Sequence, residues 1–198
     1  MTVLANDPNR RTNAQAIADL ATLGLLKPDD RIVDLSVGPN AGFWTQWRPL
    51  SLTTNDLDMK VNASYHYDVR SISAGWCGGF DVAVWDPPYG YRGTSRLESD
   101  ANYGLAGEYM SADEIDQLIL DGTDAALRLA QRLALVKCQD QNVASKFRDQ
   151  SGMVTDHVRR KQARVVGKLY VKAERAQPAG KKQLNVWGYH SVLLVIEP

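Results

Sequence analysis

Four short apolar runs in this chain each have an aspartate at or just beyond their end, and that pattern limits the possible folds more than any other feature of the sequence. The runs at 31–35, 50–54, 65–67 and 80–85 carry or precede Asp34, Asp56, Asp68 and Asp86. Runs of this length, bounded by polar turn residues, read as buried strands. Helical patterns stand among them. Residues 14–26 bring Ile17, Leu20, Ala21, Leu23 and Leu25 to near-helical spacing, with Thr12 or Asn13 able to cap the start. Residues 111–132 read as a long helix, with Ser111 and Glu114 spaced as a capping box. A strand at 133–136 follows, then helices at 142–150 and 154–164, and two final strands at 165–171 and 191–196. The loop 177–182, with Pro178 and Gly180, lies between those last two strands, which predicts an antiparallel hairpin at one edge. The alternation predicts an α/β fold with a mostly parallel sheet covered on both faces. Ligands of such sheets bind beyond the carboxyl ends of the strands. The four aspartates stand there, either as ligands or as ordinary turn residues.

Composition narrows the class. The 198 residues suit one domain over the whole of 1–198, with every stretch expected to belong to the core apart from the loop after Tyr89 and the basic segment 159–182, so no separate domain is expected. Cys77 and Cys138 are too few for a disulfide framework and lack zinc spacing, so no metal is expected. No apolar run reaches 18 residues and the first ten lack a signal core, so a cytoplasmic protein without a membrane partner is the expectation. Lys plus Arg and Asp plus Glu both total 23, a formal charge of zero. That zero hides an asymmetry: residues 1–120 hold 9 basic and 16 acidic residues, and residues 121–198 hold 14 and 7. Nine basic residues meet one acid, Glu174, in 159–182. Either these are two solvated faces, or the basic segment grips a polyanion.

The most specific motif is Asp86-Pro87-Pro88-Tyr89, directly after the strand 80–85. A Pro-Pro pair has fixed φ and no backbone donors, so it presents carbonyls on a stiff loop. Asp86 and the Pro87 carbonyl can accept from an exocyclic NH2, and Tyr89 can stack on the ring that bears it. The plainer alternative is a strand end that opens a long loop. With its context, the motif resembles the amino-group methyltransferases that act on adenine or cytosine with S-adenosylmethionine. Asp34-Leu-Ser-Val-Gly38 falls where that family has its glycine-rich cofactor loop, 52 residues before Asp86. Residues 55–58 and 67–70 fall at the ends of the second and third strands. The resemblance continues through Lys137-Cys-Gln-Asp140 to the C-terminus and is closest to small methylase-like proteins of phages and mobile elements.

The resemblance implies a Rossmann-like class I methyltransferase fold with a seven-stranded sheet. It implies Asp86, Pro87, Pro88 and Tyr89 as catalytic residues. Asp34, Ser36, Gly38 and Asn40 would shape the cofactor loop, Asp56 would bind the ribose, Leu57 would pack on adenine and Asp68 would accept from its amine. Thr12 and Asn13 match where relatives contact the cofactor carboxylate, although helix capping explains both. Asn40 stands where the family has a second glycine; Asn enters positive φ more readily than most residues, and Gly42 is the alternative carrier of that turn. A flipped base would be held by Asp86, Pro87 and Tyr89. The expected partner is nucleic acid, DNA favoured over RNA, contacted by Tyr91, Arg92, Arg159, Arg160, Lys161, Lys181 and Lys182. The loop after Tyr89, which includes Arg96, would close over the base or remain a surface excursion. Lys137 would face the pocket rim or be a plain strand-end lysine. Without a recognition domain, target choice would be relaxed, or supplied by a homodimer or a recognition subunit. An rRNA or tRNA base methyltransferase is the alternative enzyme, and a catalytically weak cofactor-binding regulatory subunit the alternative of another class. A dinucleotide oxidoreductase is disfavoured, because residues 36–42 lack Gly-x-Gly-x-x-Gly.

Overall fold

A computed structural model describes residues 10, 12–72, 74–76, 79–88, 111–143, 146–172 and 190–198. Its strands are β1 (Arg31–Asp34), β2 (Ser51–Thr54), β3 (Phe80–Trp85), β4 (Ala130–Cys138), β5 (Gln141–Val143), β6 (Lys146–Arg148), β7 (Arg164–Lys172) and β8 (His190–Glu197). The helices are α1 (Asn13–Thr22), α2 (Ala112–Leu129) and α3 (Gln150–Arg160). Six strands form one sheet in the order β2-β1-β3-β4-β8-β7. Strands β1 to β4 pair in parallel, and β8 runs antiparallel between β4 and β7. The C-terminal hairpin is therefore the edge feature that the sequence predicts.

Strand alternation sorts the apolar side chains to two faces. Ile32, Val82, Val84, Leu133, Leu135, Leu193 and Val195 pack with Ala16, Ile17 and Leu20 of α1 and with Phe43 and Trp44. Val33, Ala83, Trp85, Ala134, Val136, Val192 and Leu194 face Ile115, Ile119 and Leu129 of α2 and Val154 and Val158 of α3. Each buried branched side chain contributes about 1.5–3 kcal/mol. Both long-helix starts are satisfied locally: Thr12 with Gln15, and Ser111 with Glu114, form reciprocal capping boxes. Ion pairs then tie the layers. Arg132 bonds Asp30 and the Leu25 carbonyl, and Asp124 accepts from Lys161 and pairs with His157.

Two elements depart from the sequence reading. The run 65–67 is not a strand; one parallel bridge joins Asn55 to Tyr65. The Asn55 carboxamide replaces a neighbouring strand there, accepting from Tyr67 N at 2.9 Å and donating to the Tyr67 carbonyl at 2.9 Å. The seven-stranded expectation thus becomes six strands and a bridge among the described residues. Residues 142–150 are not a helix either. They form most of the β5–β6 hairpin, paired as Gln141↔Arg148, Asn142↔Phe147 and Val143↔Lys146. Arg148 anchors it on Asp113 and Asp116 of α2, at 2.8 and 2.9 Å.

Candidate active site

Parallel pairing aligns the carboxyl ends of β1, β3 and β4, and the chain reverses direction across the sheet between β1 and β3. A crevice at such a switch point is where ligands of open α/β sheets bind. Register sets the side chains that line it. Asp34 pairs with Val84, Trp85 with Val136, and strand period carries Asp34, Asp86 and Lys137 to the face shared by Val82, Val84, Leu133 and Leu135. The loop after β1 covers that face with Phe43 and Trp44.

Asp34 is fully buried and builds this loop. It accepts from Ser36 N at 3.1 Å and from the Trp44 indole at 2.7 Å. Burial pushes its carboxyl up to about 7 against those two hydrogen bonds, with Asp86 and Asp56 adding repulsion. Gly38 turns the chain at φ +67°, and its N–H donates to Asp56 at 2.9 Å. Asp56 also accepts from Asp58 N at 3.0 Å, and His66 Nδ1 lies 3.0 Å from the Asp56 carbonyl. Leu57 is half exposed beside it. The second left-handed residue of the loop is Ala41, at φ +45°. This corrects the expectation for Asn40, which is exposed, and for Gly42, which is outside the left-handed region.

Asp86 is the centre of the crevice. Its backbone N–H donates to Ser36 Oγ at 3.0 Å, and its Oδ2 accepts from Lys137 Nζ at 3.3 Å. Its Oδ1 is buried with no hydrogen-bond partner. Burial raises the Asp86 carboxyl, and the Lys137 ammonium opposes that shift. Pro87 is buried and Pro88 half-buried. Tyr89, Tyr91, Arg92, Lys181 and Lys182 lie outside the described residues.

Other sequence candidates stand elsewhere. Thr12 is committed to capping α1. Asp68 caps the short turn Val69–Ser71 and is gripped by the Arg70 guanidinium, which holds its carboxyl below the usual range. Arg159, Arg160 and Lys161 close α3 just before β7, which runs parallel to β4, and so stand by the amino ends of the parallel strands. From Arg164 to Lys172, β7 alone spans roughly 26 Å along the strand direction. The expectation that this part of the basic segment lies beside the pocket is therefore corrected. Arg159 pairs with Asp156, and Lys161 with Asp124. Sequence reasoning left Lys137 undecided and missed Trp44. The alternation Leu133, Leu135, Lys137 marks the first as sharing the face of Asp86; no local pattern marks the second.

No protein-family model matches the chain, and no curated protein matches it. Solved structures do. Magnesium protoporphyrin IX methyltransferase from Synechocystis PCC 6803, with bound S-adenosylmethionine, superposes with a TM-score of 0.54 at 12% identity, over 93% of this chain and 77% of that one. A candidate RNA methyltransferase from Pyrococcus horikoshii gives 0.54 at 11%, over 100% and 92%. A Thermoplasma acidophilum protein gives 0.52 at 15%, over 93% and 87%. The chain has the class I methyltransferase fold. Within that fold, Asp34 and Asp86 flank the switch point, and no helix of the described residues is long and apolar enough to cross a membrane.

Proposed function

We propose that this methyltransferase fold transfers a methyl group from S-adenosylmethionine to the exocyclic amine of a nucleic-acid base, with adenine N6 of DNA as the first candidate. The observation that carries the reading is the buried, unpartnered Oδ1 of Asp86, directly before Pro87 and Pro88. A buried acceptor without a donor is costly unless a ligand supplies one. An amine N–H is such a donor, and a second would go to the Pro87 carbonyl. Accepting both hydrogens favours a tetrahedral nitrogen whose lone pair is free to attack. An unpaired or flipped base reaches such a site most easily.

The residues around the crevice suit the cofactor. It would supply an electrophilic methyl group on a cationic sulfur. The Gly38 turn brings backbone close, Asp56 retains lone pairs for ribose hydroxyls, and half-exposed Leu57 offers an apolar surface to adenine. Asp34 and Asp56 are buried at this end of the sheet, with Asp86 largely covered beside them. Asp68 fits less well as an adenine acceptor, since Arg70 already occupies both its oxygens. DNA over RNA, and contacts through Tyr91, Arg92, Lys181 and Lys182, remain part of the proposal.

The test is methyl transfer from labelled cofactor to duplex DNA, single-stranded DNA and total RNA, followed by nucleoside analysis. Label in N6-methyl-2′-deoxyadenosine of DNA is expected. Asp86→Ala should lower the rate about 100-fold or more with cofactor affinity nearly unchanged. Cofactor binding without label in any nucleic acid would overturn the reading in favour of a regulatory subunit, and label confined to RNA would move the substrate.

A further inference from the structure

A lysine at the exposed end of a strand normally extends its ammonium into water. Lys137 does not. It is almost fully buried, its Nζ stands 5.9 Å from the Phe43 ring centroid, and it donates to Asp86 Oδ2 at 3.3 Å. Only 7% of the lysine side chain and 15% of the aspartate side chain are exposed. Burying a carboxylate alone is costly, and the Lys137 ammonium offsets that cost at Asp86.

The neighbouring acids are coupled as well. Asp86 and Asp56 both push up the carboxyl of buried Asp34 at the end of β1. Cys138, next to Lys137 on β4, is buried and its thiol is pushed up, so it brings no charge. Three carboxyl groups therefore share a crevice with the Lys137 ammonium. Ser36 fixes the backbone of Asp86 from β1, and Lys137 fixes its carboxylate from β4. One oxygen is taken and the other is left open.

We propose that Lys137 is a positioning residue that keeps Asp86 ionised and, by occupying Oδ2, reserves Oδ1 as a single acceptor for a substrate N–H. The usefulness of that acceptor rests on the methyltransferase reading; the ion pair itself does not. A protonated Asp86 would carry an O–H donor and accept more weakly than the carboxylate, so loss of the cation weakens the acceptor without removing the residue.

The experiment is a carbon-13 NMR titration of labelled aspartate carboxyls in the full chain, with Asp86→Asn used to assign the signal. In Lys137→Met the Asp86 midpoint should rise by about one pH unit or more, tenfold in proton affinity, and in Lys137→Arg it should stay near the wild-type position. If Lys137→Met does not fold, Lys137→Gln keeps a hydrogen-bond donor without the charge and is read the same way. An Asp86 midpoint unchanged in the folded uncharged variant overturns the proposal. A second readout is the pH profile of methyl transfer to DNA and RNA, whose acid limb should shift upward in step with the titration. A moved titration with no methylated nucleic acid in any variant supports the ion pair and overturns the functional reading. Methylation with an unmoved acid limb overturns the positioning role.

Discussion

Asp34 is the residue on which the crevice loop depends, and its chemistry has a measurable signature. Burial raises its carboxyl from 3.8 to about 7. The folded chain therefore holds a proton that the unfolded chain has lost between those pH values. Stability should fall as pH rises from about 4 to about 7 and level off above, by up to roughly 4 kcal/mol for the full shift. Denaturant unfolding across that range checks this, and Asp34→Asn should flatten the profile. A wild-type profile with no decline there would show the carboxylate to be ionised by its donors, Ser36 N and the Trp44 indole. Gly38 tests the same loop differently. A Cβ at this position meets nothing within 4 Å, so the cost of Gly38→Ala is conformational, about 1–2 kcal/mol from the positive φ. Calorimetric unfolding should show that loss, and cofactor affinity should drop with it. The glycine was legible in the sequence as a tight turn. That Ala41 takes the second left-handed position was not, because φ at a loop residue follows from where Phe43 and Trp44 must pack.

At the scale of elements, α2 is held against β3 by the absence of a side chain. A Cβ on Gly122 would stand 2.3 Å from the Trp85 indole. Gly122→Ala should therefore destabilise by about 1–3 kcal/mol although alanine is the better helix former. Gly122→Ala with unchanged denaturant midpoint would mean that Trp85 moves freely, and with it the start of the Asp86 motif. Thr12 was one of two candidate caps for α1, and the capping box at Ser111 was readable, since it depends on residues three apart. The β5–β6 hairpin was not. Arg148 ties it to Asp113 and Asp116, more than 30 residues away. A short segment with few apolar residues takes its conformation from such partners. The run 65–67 failed as a strand for a related reason: the Asn55 carboxamide, twelve residues before Tyr67, takes up the N–H and carbonyl of Tyr67 that a strand would have paired.

For the whole molecule, the division of charge along the chain does not become a division beside the crevice. The acids do converge there, as Asp34, Asp56 and Asp86. The described basic residues Arg159, Arg160 and Lys161 lie by the amino ends of the parallel strands, away from the crevice. Replacing Arg159 and Arg160 by glutamine should leave methyl transfer to an oligonucleotide of about eight nucleotides within roughly twofold, and leave the salt dependence of its binding unchanged. A large loss would require nucleic acid to wrap from one end of the strands to the other. By itself the sequence determined the alternation of helix and strand, the helix caps, the hairpin at the C-terminus and the strand-end position of each crevice acid. All of these follow from apolar periodicity and contacts between near neighbours. Only the tertiary structure decided that Lys137 pairs with Asp86, that Trp44 holds Asp34, and that the end of α3 faces away. Those outcomes depend on register between strands distant in sequence and on the burial that makes an unpaired charge costly, and neither quantity is written in a local pattern.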